Sequence, residues 1–480
     1  MLKGENIICI SSIDWDFIWQ GHQQIMSALA KNGNKVLFIE NTGVRSPGIR
    51  DASRIKSRIK NWLKGVKGIR EESENLYIFS PLVLPFPYSR PARWINRRMI
   101  LSILERWTRV MDFADPIVWT FLPTPLSMDI AENVVKKLFV YYCIDNFSVS
   151  SASANKIRSS EKKLLEKADL VFVTSRELYN YCARHNKKVY KFPFAVNFEI
   201  FEKVNSSETS APEEFRGINR PVIGYVGGVH KWIDLDLIRR LAEARPGYSF
   251  VFVGPIQTNV QRLSDLKNVH FLGKKEHGKL PLFIKYFDAG IIPYLITDYT
   301  RNVYPTKLNE YLALGKPVVS TALPEILEFN KEFGDVVYVA GVDAGSFGES
   351  LEKAVREDSG PLRGKRIEIA RLNNWENRIE KMSGLILQEI RVKRSDEKAR
   401  WKENLVNFYK IARNNTLKAV LACLSVYILL FKTPFVWFLA EPLRISDKPA
   451  KADVIVVFGG GVGETGNPSN SAMERARYAS

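Results

Sequence analysis

Residues 304–320, YPTKLNEYLALGKPVVS, combine a short helix with a strand and indicate the fold class of this half of the chain. The apolar residues before Gly315 have helical spacing, and KPVVS after it is typical of a short buried strand. Lys307 opens the helix, although the partial positive charge of a helix N-terminus disfavours a cation there by about 0.3–1 kcal/mol. The sequence therefore predicts a counter-charge for Lys307: either Glu310, one turn later, or an anionic ligand.

Short β-branched runs alternate with helical stretches on both sides of this motif. The runs before residue 176 are NIICIS, KVLFIE, LYIFSP, PIVWTF, LFVYYCID and LVFVTS. Those after residue 220 are PVIGYVG, YSFVFVG, NVHFLG, AGIIPY, KPVVS and VVYVA. This alternation predicts parallel sheets covered by helices on both faces. A polar stretch at 203–220 is typical of a linker, so we expect two α/β domains, 1–202 and 221–392, with a ligand cleft between them.

The composition excludes some classes of protein. A chain of 480 residues predicts two or three domains, and its net charge of +18 predicts an anionic partner. We favour an anionic membrane or a phosphorylated ligand over nucleic acid, because no recognised nucleic-acid motif accompanies the charge. Four widely spaced cysteines without a CxxC argue against disulfides and structural zinc, and they fit a reducing compartment. No secretory signal is expected, because residues 1–6 lead directly into a strand-like run.

Two segments indicate contact with a membrane. Residues 54–70, RIKSRIKNWLKGVKGIR, have the pattern of a basic helix on an anionic membrane surface, and a solvated basic helix face is the alternative. Residues 419–440 are long and apolar enough to cross a bilayer. Their Lys-Thr-Pro interruption leaves a monotopic hairpin or a buried amphipathic helix open. The basic segment 393–418 before them predicts that the main body lies at the cytoplasmic face and that the C-terminal tail lies outside.

Several residues at predicted strand ends have the chemistry of a nucleotide-diphosphate site. Gly227 and Gly228 follow a strand, where backbone N–H groups can approach a diphosphate, although a plain tight turn would look the same. Leu272 and Gly273 end another strand. A diphosphate at the start of the 306–314 helix would neutralise Lys307, and the Glu310 carboxylate would accept hydrogen bonds from ribose hydroxyls.

These motifs together resemble the retaining GT-B glycosyltransferases of family 4. The run PTKLNEYLALGKPVVST is similar to the donor-site signature P-x-K-x-x-E-Y-L-A-x-G-x-P-V-V of that family. DWDFIWQGHQQIMSALAKNGNKVLFIEN resembles the first βα unit of its teichuronic-acid-type branch, and WENRIEKMSGLIL resembles its closing helix. The resemblance covers about 1–390. It implies a GT-B fold, two Rossmann-like domains facing a cleft, and a nucleotide sugar that is a substrate, with no cofactor and no catalytic metal.

The resemblance also implies roles for individual residues of the second domain. Glu310 would hold the ribose and Lys307 the donor phosphates. The remaining donor-binding positions are Gly227 and Gly228 at the diphosphate, Lys231 after that loop, and Leu272 and Gly273 at the nucleobase. Asn302 occupies the position of the family's first catalytic Glu, where it can still hydrogen-bond a sugar hydroxyl but brings no charge.

The first domain supplies the acceptor side in the family. Gly21 and His22 begin the helix after the first strand, and the His22 side chain would orient the acceptor hydroxyl or stabilise the leaving phosphate. Asp145 and Asn146 follow the strand LFVYYCID, and Asp145 is a candidate base or acceptor ligand. A plain helix-start role for His22 and a helix cap for Asp145 are the alternatives.

The C-terminal tail contains a G-x-G-x-x-G pattern at Gly461, Gly463 and Gly466. A dinucleotide fold would need a complete βαβ unit after it, and too few residues remain in this sequence. Residues 441–480 instead resemble the truncated start of an ElyC/SanA/YdcF-like domain of envelope proteins.

The sequence predicts a membrane-associated, retaining glycosyltransferase in cell-surface polysaccharide synthesis. Its partners would be a nucleotide-diphosphate sugar, a lipid-linked or polysaccharide acceptor and an anionic membrane. The alternative is an inactive sugar-nucleotide or glycan-binding scaffold fused to an envelope domain, and Asn302 is the residue that favours it.

Overall fold

A computed structural model describes residues 1–17, 19–43, 68–147, 154–399, 401–441 and 470–479. The chain divides into two compact units, Met1–Ser395 and Asp396–Ser480. Most of the predicted basic helix at 54–70 lies outside the described residues, as do Gly461, Gly463 and Gly466 of the tail.

The first half of the larger unit is built on an eight-stranded sheet with the order β3-β4-β2-β1-β5-β6-β7-β8. Its strands are β1 (Asn6–Ile10), β2 (Lys35–Ile39), β3 (Ile69–Ser73), β4 (Leu76–Phe79), β5 (Ile117–Thr120), β6 (Leu138–Cys143), β7 (Leu170–Val173) and β8 (Val189–Lys191). All neighbouring pairs are parallel except the β3–β4 hairpin. All six residues of β6 are buried, as expected for a strand covered on both faces.

Helices cover both faces of this sheet and begin after its strands. They are α1 (Gly21–Lys31), α2 (Arg90–Val110), α3 (Pro125–Asn133), α4 (Ala154–Lys167), α5 (Arg176–Cys182) and α6 (Phe198–Ser206). The hydroxyls of Thr124 and Ser175 cap α3 and α5 by accepting N–H groups of the first turn.

The second half has a six-stranded, wholly parallel sheet with the order β11-β10-β9-β12-β13-β14. Its strands are β9 (Val222–Val226), β10 (Ser249–Val253), β11 (Val269–Phe271), β12 (Ala289–Ile292), β13 (Val318–Thr321) and β14 (Val337–Ala340). The helices are α7 (Leu235–Ala244), α8 (Leu280–Lys285), α9 (Lys307–Ala313), α10 (Pro324–Phe333), α11 (Ala344–Arg356), α12 (Gly360–Leu372) and α13 (Trp375–Ala399).

The twelve strands that the sequence predicts are all present, and the prediction of two α/β sheets is confirmed. β3 was not predicted because IREES is polar and largely exposed, and the three-residue β8 is too short to show a pattern. The first residues of the predicted linker at 203–220 continue α6 to Ser206. Phe215 anchors the remainder, since its ring is buried and packs 6.0 Å from that of Phe283.

The smaller unit contains the apolar segment. The helices described in this unit are α14 (Trp401–Lys432), α15 (Phe435–Ala440) and α16 (Asn470–Ala479). Within α14, Leu405–Lys432 has the length and composition of a membrane span, with a mean hydropathy of 1.5. The predicted interruption is present, because α14 ends at Lys432 and α15 begins after Pro434. The apolar helix therefore starts earlier and ends earlier than the predicted segment at 419–440.

Candidate functional site

The carboxyl ends of β9, β10 and β11 are joined by their backbones. The Gly227 N–H donates to the carbonyl of Val253 at 2.9 Å, and the Gly254 N–H donates to the carbonyl of Gly273 at 2.9 Å. The loops that follow the three strands therefore form one continuous edge, where ligands bind in open parallel sheets.

Glycines make this close approach possible. Gly254 has φ +155°, and a Cβ there would lie 2.1 Å from the Gly227 carbonyl oxygen. Gly227 itself has φ +123°, a conformation that residues with side chains rarely adopt. The Gly227–Gly228 loop therefore depends on glycine both for its own backbone and for its contact with the next loop.

Helix α9 is held against the end of β9 by Tyr311. The Val226 N–H donates to the Tyr311 hydroxyl at 2.9 Å. The Tyr311 ring comes so close to the sheet that a Cβ on Gly290 would lie 2.5 Å from it. Lys307 lies one helical turn before Tyr311, so the same packing brings its side chain to the Gly227 loop.

The ammonium group of Lys307 lies among aromatic side chains beside this loop. Lys307 is only 7% exposed and donates a hydrogen bond to the Tyr294 hydroxyl. Its Nζ lies 4.9 Å from the ring centroid of Tyr225 and 4.8 Å from that of Tyr294. A Cβ on Gly227 would lie 3.8 Å from the same Nζ. Cation–π contacts and one hydroxyl thus support a buried positive charge next to the backbone of the Gly227 loop.

Glu310 does not neutralise Lys307 by a direct ion pair. Among the described residues its carboxylate forms no hydrogen bond and no ion pair, although the residue is partly buried. Burial raises the pKa of Glu310, and the positive charges of His277 and Lys307 oppose that rise. The exposed Lys307–Glu310 ion pair, one of the two counter-charges expected from the sequence, is therefore absent from this part of the chain.

A series of contacting aromatic side chains connects the Gly227–Gly228 loop with the first sheet. The His230 ring stacks on Trp232 with centroids 3.9 Å apart, and Trp232 packs 5.3 Å from Tyr299. The Tyr299 hydroxyl donates to Asp145 Oδ2 at 3.2 Å. Burial, together with the nearby positive charges of Lys307 and Lys231, lowers the pKa of His230.

Asp145 follows β6 in the first half of the chain and meets the second half through Tyr299. Burial raises the pKa of its carboxyl group to about 6, although hydrogen bonds from the Asn146 N–H and the Tyr299 hydroxyl favour the ionised form. The Asn146 N–H donates to Asp145 Oδ1 at 2.8 Å. Asp145 therefore titrates close to neutral pH.

His22 and Gly21 are more deeply buried than their predicted roles require. His22 Nε2 and the Ser12 hydroxyl are 2.9 Å apart, and the imidazole lies 4.1 Å from the Phe121 ring. Burial lowers the pKa of His22 to about 3, so the imidazole is neutral. Its Nδ1 has no partner among the described residues. A Cβ on Gly21 would lie 2.7 Å from the Phe194 ring, which gives this glycine a packing role.

The remaining predicted site residues have simpler surroundings. Asn302 closes its own loop, because its Nδ2 donates to the carbonyl of Asp298 at 2.6 Å. Lys231 is exposed in the turn after β9. The Leu272 N–H donates to the carbonyl of Phe252 at 2.9 Å, so its amide extends the sheet, and Gly273 accepts from Gly254.

Sequence reasoning missed three tyrosines of the site: Tyr225, Tyr294 and Tyr299. Tyr225 and Tyr294 stand near the ends of the strand-like runs PVIGYVG and AGIIPY, and this position at cleft-facing strand ends was the available signal. Tyr299 has no comparable pattern, because it belongs to the irregular loop before the 3₁₀ turn Thr300–Asn302.

Parts of the chain are similar to known glycosyltransferases. Residues 220–357 match the family model of glycosyl transferases group 1. A Bacillus subtilis protein named as a teichuronic acid biosynthesis glycosyltransferase, TuaH, is 30% identical over 230 residues, or 46% of this chain. The chain spans 57% of the length of that curated relative.

Two solved structures show a similar fold over 80% of the chain. Sucrose-phosphate synthase from Thermosynechococcus elongatus has a TM-score of 0.59, 17% identity and 99% of its own chain covered. Anabaena HepE in complex with UDP has a TM-score of 0.57, 12% identity and 100% of its own chain covered. At such identities the similarity concerns the fold, and the predicted GT-B-like architecture of two Rossmann-like sheets is confirmed.

Proposed function

We propose that this protein is a retaining, metal-independent glycosyltransferase that uses a nucleotide-diphosphate sugar. The observation that carries the proposal is the position of the Lys307 ammonium beside the Gly227–Gly228 backbone. A buried cation that pairs with no carboxylate of the described residues, next to a glycine loop at strand ends, is suited to an anionic ligand. The match of residues 220–357 to glycosyl transferases group 1 supports a sugar donor.

The donor would lie along the edge formed by the loops after β9, β10 and β11. Its diphosphate would take the charge of Lys307 and the N–H groups of the Gly227–Gly228 loop. Glu310, which has no partner among the described residues, would accept hydrogen bonds from the ribose hydroxyls. Leu272 and Gly273 would meet the base. The bound UDP of the HepE structure makes UDP the first nucleotide to test.

The acceptor would enter from the side of the first sheet. In retention by same-face attack, the bond from the sugar C1 to the diphosphate oxygen breaks as the acceptor oxygen bonds to C1. The proton of the acceptor hydroxyl passes to the leaving diphosphate. Asp145 would orient that hydroxyl, since its carboxylate faces the cleft beside Tyr299. Neutral His22 would assist as a hydrogen-bonding group and not as a cation.

The acceptor would be a lipid-linked or membrane-linked glycan of cell-surface polysaccharide synthesis. The teichuronic acid assignment of the Bacillus relative supports this class of product. The net charge of +18 and the apolar helix Leu405–Lys432 support work at the cytoplasmic face of an anionic membrane, with the C-terminal tail outside.

A second candidate is a sugar-nucleotide or glycan-binding scaffold without transfer activity. Asn302 favours it, because the amide group at the position of the family's first catalytic Glu is bonded to the carbonyl of Asp298. The two candidates share the donor site and differ only in turnover.

Nucleotide-dependent thermal stabilisation of the full chain tests the donor site. We expect UDP or another nucleoside diphosphate to raise the unfolding temperature, and Lys307→Met to weaken its binding roughly 10- to 100-fold. The reason is the loss of one charge-assisted hydrogen bond, about 1.5–3 kcal/mol. Glu310→Gln should weaken nucleotide binding less, because its amide oxygen still accepts one hydrogen bond.

Lys267→Met is the matched control, since Lys267 is an exposed lysine before β11 at the opposite edge of the sheet. The donor site is wrong if UDP, GDP, ADP and CMP all leave the unfolding temperature unchanged. Transfer of labelled sugar into a membrane lipid fraction then separates the enzyme from the scaffold.

A further inference from the structure

An exposed apolar surface surrounds the start of α2 in the first half of the chain. Each of its six side chains is more than a third exposed, and we call this set the apolar rim: Leu82, Leu84, Phe86, Trp94, Ile95 and Met99. Exposed apolar groups that cluster in this way mark an interaction site more often than scattered ones do.

Asn96 connects the two parts of the rim. Its buried side chain accepts a hydrogen bond from the Leu84 N–H at 2.8 Å and donates to the Leu84 carbonyl at 2.9 Å. The extended segment before α2 is thereby fixed against the first turns of the helix. Leu82, Leu84 and Phe86 are exposed along that segment, and Trp94, Ile95 and Met99 are exposed on the helix that it is bonded to.

The segment that carries the rim has charges of a single sign. Residues 75–104 contain four arginines and no acidic residue. Arg93 is bound to Asp129 by two hydrogen bonds of 2.6 Å. The other three, Arg90, Arg97 and Arg98, form no ion pair with any residue that the structure describes. The Arg98 guanidinium lies 5.5 Å from the centre of the Trp94 ring.

We propose that the apolar rim and its three arginines dock on an anionic lipid membrane surface. Tryptophan and aliphatic side chains would enter the interface between headgroups and acyl chains, and the arginines would meet lipid phosphates. The arginines favour a membrane over a second copy of the chain as the partner. Two copies of this surface would bring like charges together, whereas an anionic membrane would neutralise them. The proposal does not depend on the transfer reaction.

The location of the rim agrees with a membrane-linked substrate. β4 ends at Phe79 and α2 begins at Arg90, so the rim lies at the carboxyl-terminal edge of the first sheet. β1, β4, β5 and β6 run in the same direction, and Asp145 follows β6 at that edge. A membrane at the rim would therefore lie on the side of the sheet where the acceptor is expected.

A fluorescent probe on the rim of the full chain tests the docking. In a Cys423→Ser background, the environment-sensitive dye NBD is attached through Met99→Cys or, as a control, through Val135→Cys. Val135 is exposed in the same half of the chain but precedes β6, at the opposite edge of the sheet. The vesicles are phosphatidylcholine alone or with about one third phosphatidylglycerol.

We expect the dye at 99 to brighten about twofold or more with the anionic vesicles, whereas the dye at 135 stays in water. Probe emission is the readout because the apolar helix Leu405–Lys432 could hold the chain on any vesicle. Arg97→Gln combined with Arg98→Gln should weaken docking roughly fivefold per charge. Arg106→Gln combined with Arg109→Gln, farther along α2, should leave it unchanged.

Three results would overturn the proposal. The first is that emission of the dye at 99 does not change with anionic vesicles, and the second is that both dyes brighten equally. The third is that the dye at 99 brightens without vesicles, to an extent that depends on protein concentration. The last result would identify a second copy as the occupant. Thermal unfolding without vesicles shows whether the arginine variants fold. If they do not, Trp94→Gln, a substitution of an exposed rim residue, is tested in their place. UDP stabilisation of the same samples reports the donor site separately.

Discussion

Single residues of the site have electrostatic surroundings that decide what they can do. Lys307 is a buried cation supported by two aromatic rings and one hydroxyl, and no carboxylate of the described residues pairs with it. An incoming anion would stabilise such a group, because folding has already removed the water around the ammonium. His22 is the opposite case, since burial keeps its imidazole neutral.

Asp145 gives a prediction about pH. The folded protein raises its pKa from 3.8 to about 6, so the carboxyl contributes most stability below about pH 4. That contribution is lost as the pH rises through about 6, and ionised Asp145 then costs about 3 kcal/mol. We expect Asp145→Asn to be close to the wild type near pH 4 and more stable by about 3 kcal/mol near pH 8, as measured by urea unfolding.

The control for this prediction is Asp298→Asn, which changes an exposed carboxylate in the loop that holds Tyr299. It should be as stable as the wild type at both pH values. An Asp145→Asn variant that follows the wild type across the whole range would show that Asp145 does not titrate near neutral pH.

At the scale of elements, the loops after β9, β10 and β11 act as one structure. Backbone hydrogen bonds link Gly227 to β10 and Gly254 to Gly273, so a change in one loop moves its neighbours. The position of α9 depends on the same edge through the bond between Val226 and Tyr311. A ligand bound at this edge would therefore meet three loops that are hydrogen-bonded to one another.

Gly254→Ala tests this coupling. The new Cβ would meet the Gly227 carbonyl oxygen at 2.1 Å, and the backbone has φ +155°. We expect a loss of about 2–4 kcal/mol in the free energy of unfolding, from overpacking and backbone strain together. Nucleotide stabilisation should weaken as well, because the displaced atom belongs to the diphosphate loop. Denaturant unfolding with and without UDP measures both.

Gly247→Ala is the matched control, since a Cβ at Gly247 meets nothing within 4 Å. It precedes the same strand at the opposite edge of the sheet and should change stability by less than about 1 kcal/mol. Equal effects of the two substitutions would contradict the proposed coupling between the loops.

At the scale of the whole molecule, the two sheets of the larger unit are joined by polar contacts as well as by the chain. The Asn309 amide donates to the Phe194 carbonyl at 3.1 Å. Glu325, at the start of α10, accepts the Arg176 N–H of α5 at 2.5 Å and lies 3.9 Å from the Lys191 ammonium. A carboxylate from one half of the chain thus binds the N-terminus of a helix in the other.

Glu325→Ala should weaken this contact. The carboxylate is buried, so its removal leaves the Arg176 N–H without its acceptor and costs about 1–3 kcal/mol. We expect a lower free energy of unfolding and a larger radius of gyration in X-ray scattering, because the halves separate more readily.

Glu328→Ala removes the neighbouring ion pair, in which Arg176 is 51% exposed and the N–O distance is 3.6 Å. Exposed pairs of this kind contribute about 0–1 kcal/mol, so this variant is the control. If both glutamate variants lose the same stability, the buried contact of Glu325 has no special part in holding the halves together.

The sequence by itself determined the architecture and the local positions of several residues at the edge formed by the loops after β9, β10 and β11. Alternating apolar strands and helices predicted two parallel sheets, because buried parallel strands need continuous apolar runs and helical cover. It predicted Gly227 and Gly273 just after strands and Lys307 at the start of a helix, and the structure has them at these positions. Short-range patterns suffice for such features, since periodicity and glycine conformation are properties of neighbouring residues.

Only the tertiary structure decided what surrounds those residues. The two tyrosines beside Lys307 come from β9 and from the end of β12, and the tyrosine bonded to Asp145 comes from the other half of the chain. From the sequence, Gly21 and His22 were predicted to lie on the side that binds the acceptor substrate. In the structure, Phe194 packs on Gly21 and Phe121 packs on His22. Charge environment and burial depend on residues far apart in the chain, so no local pattern contains them.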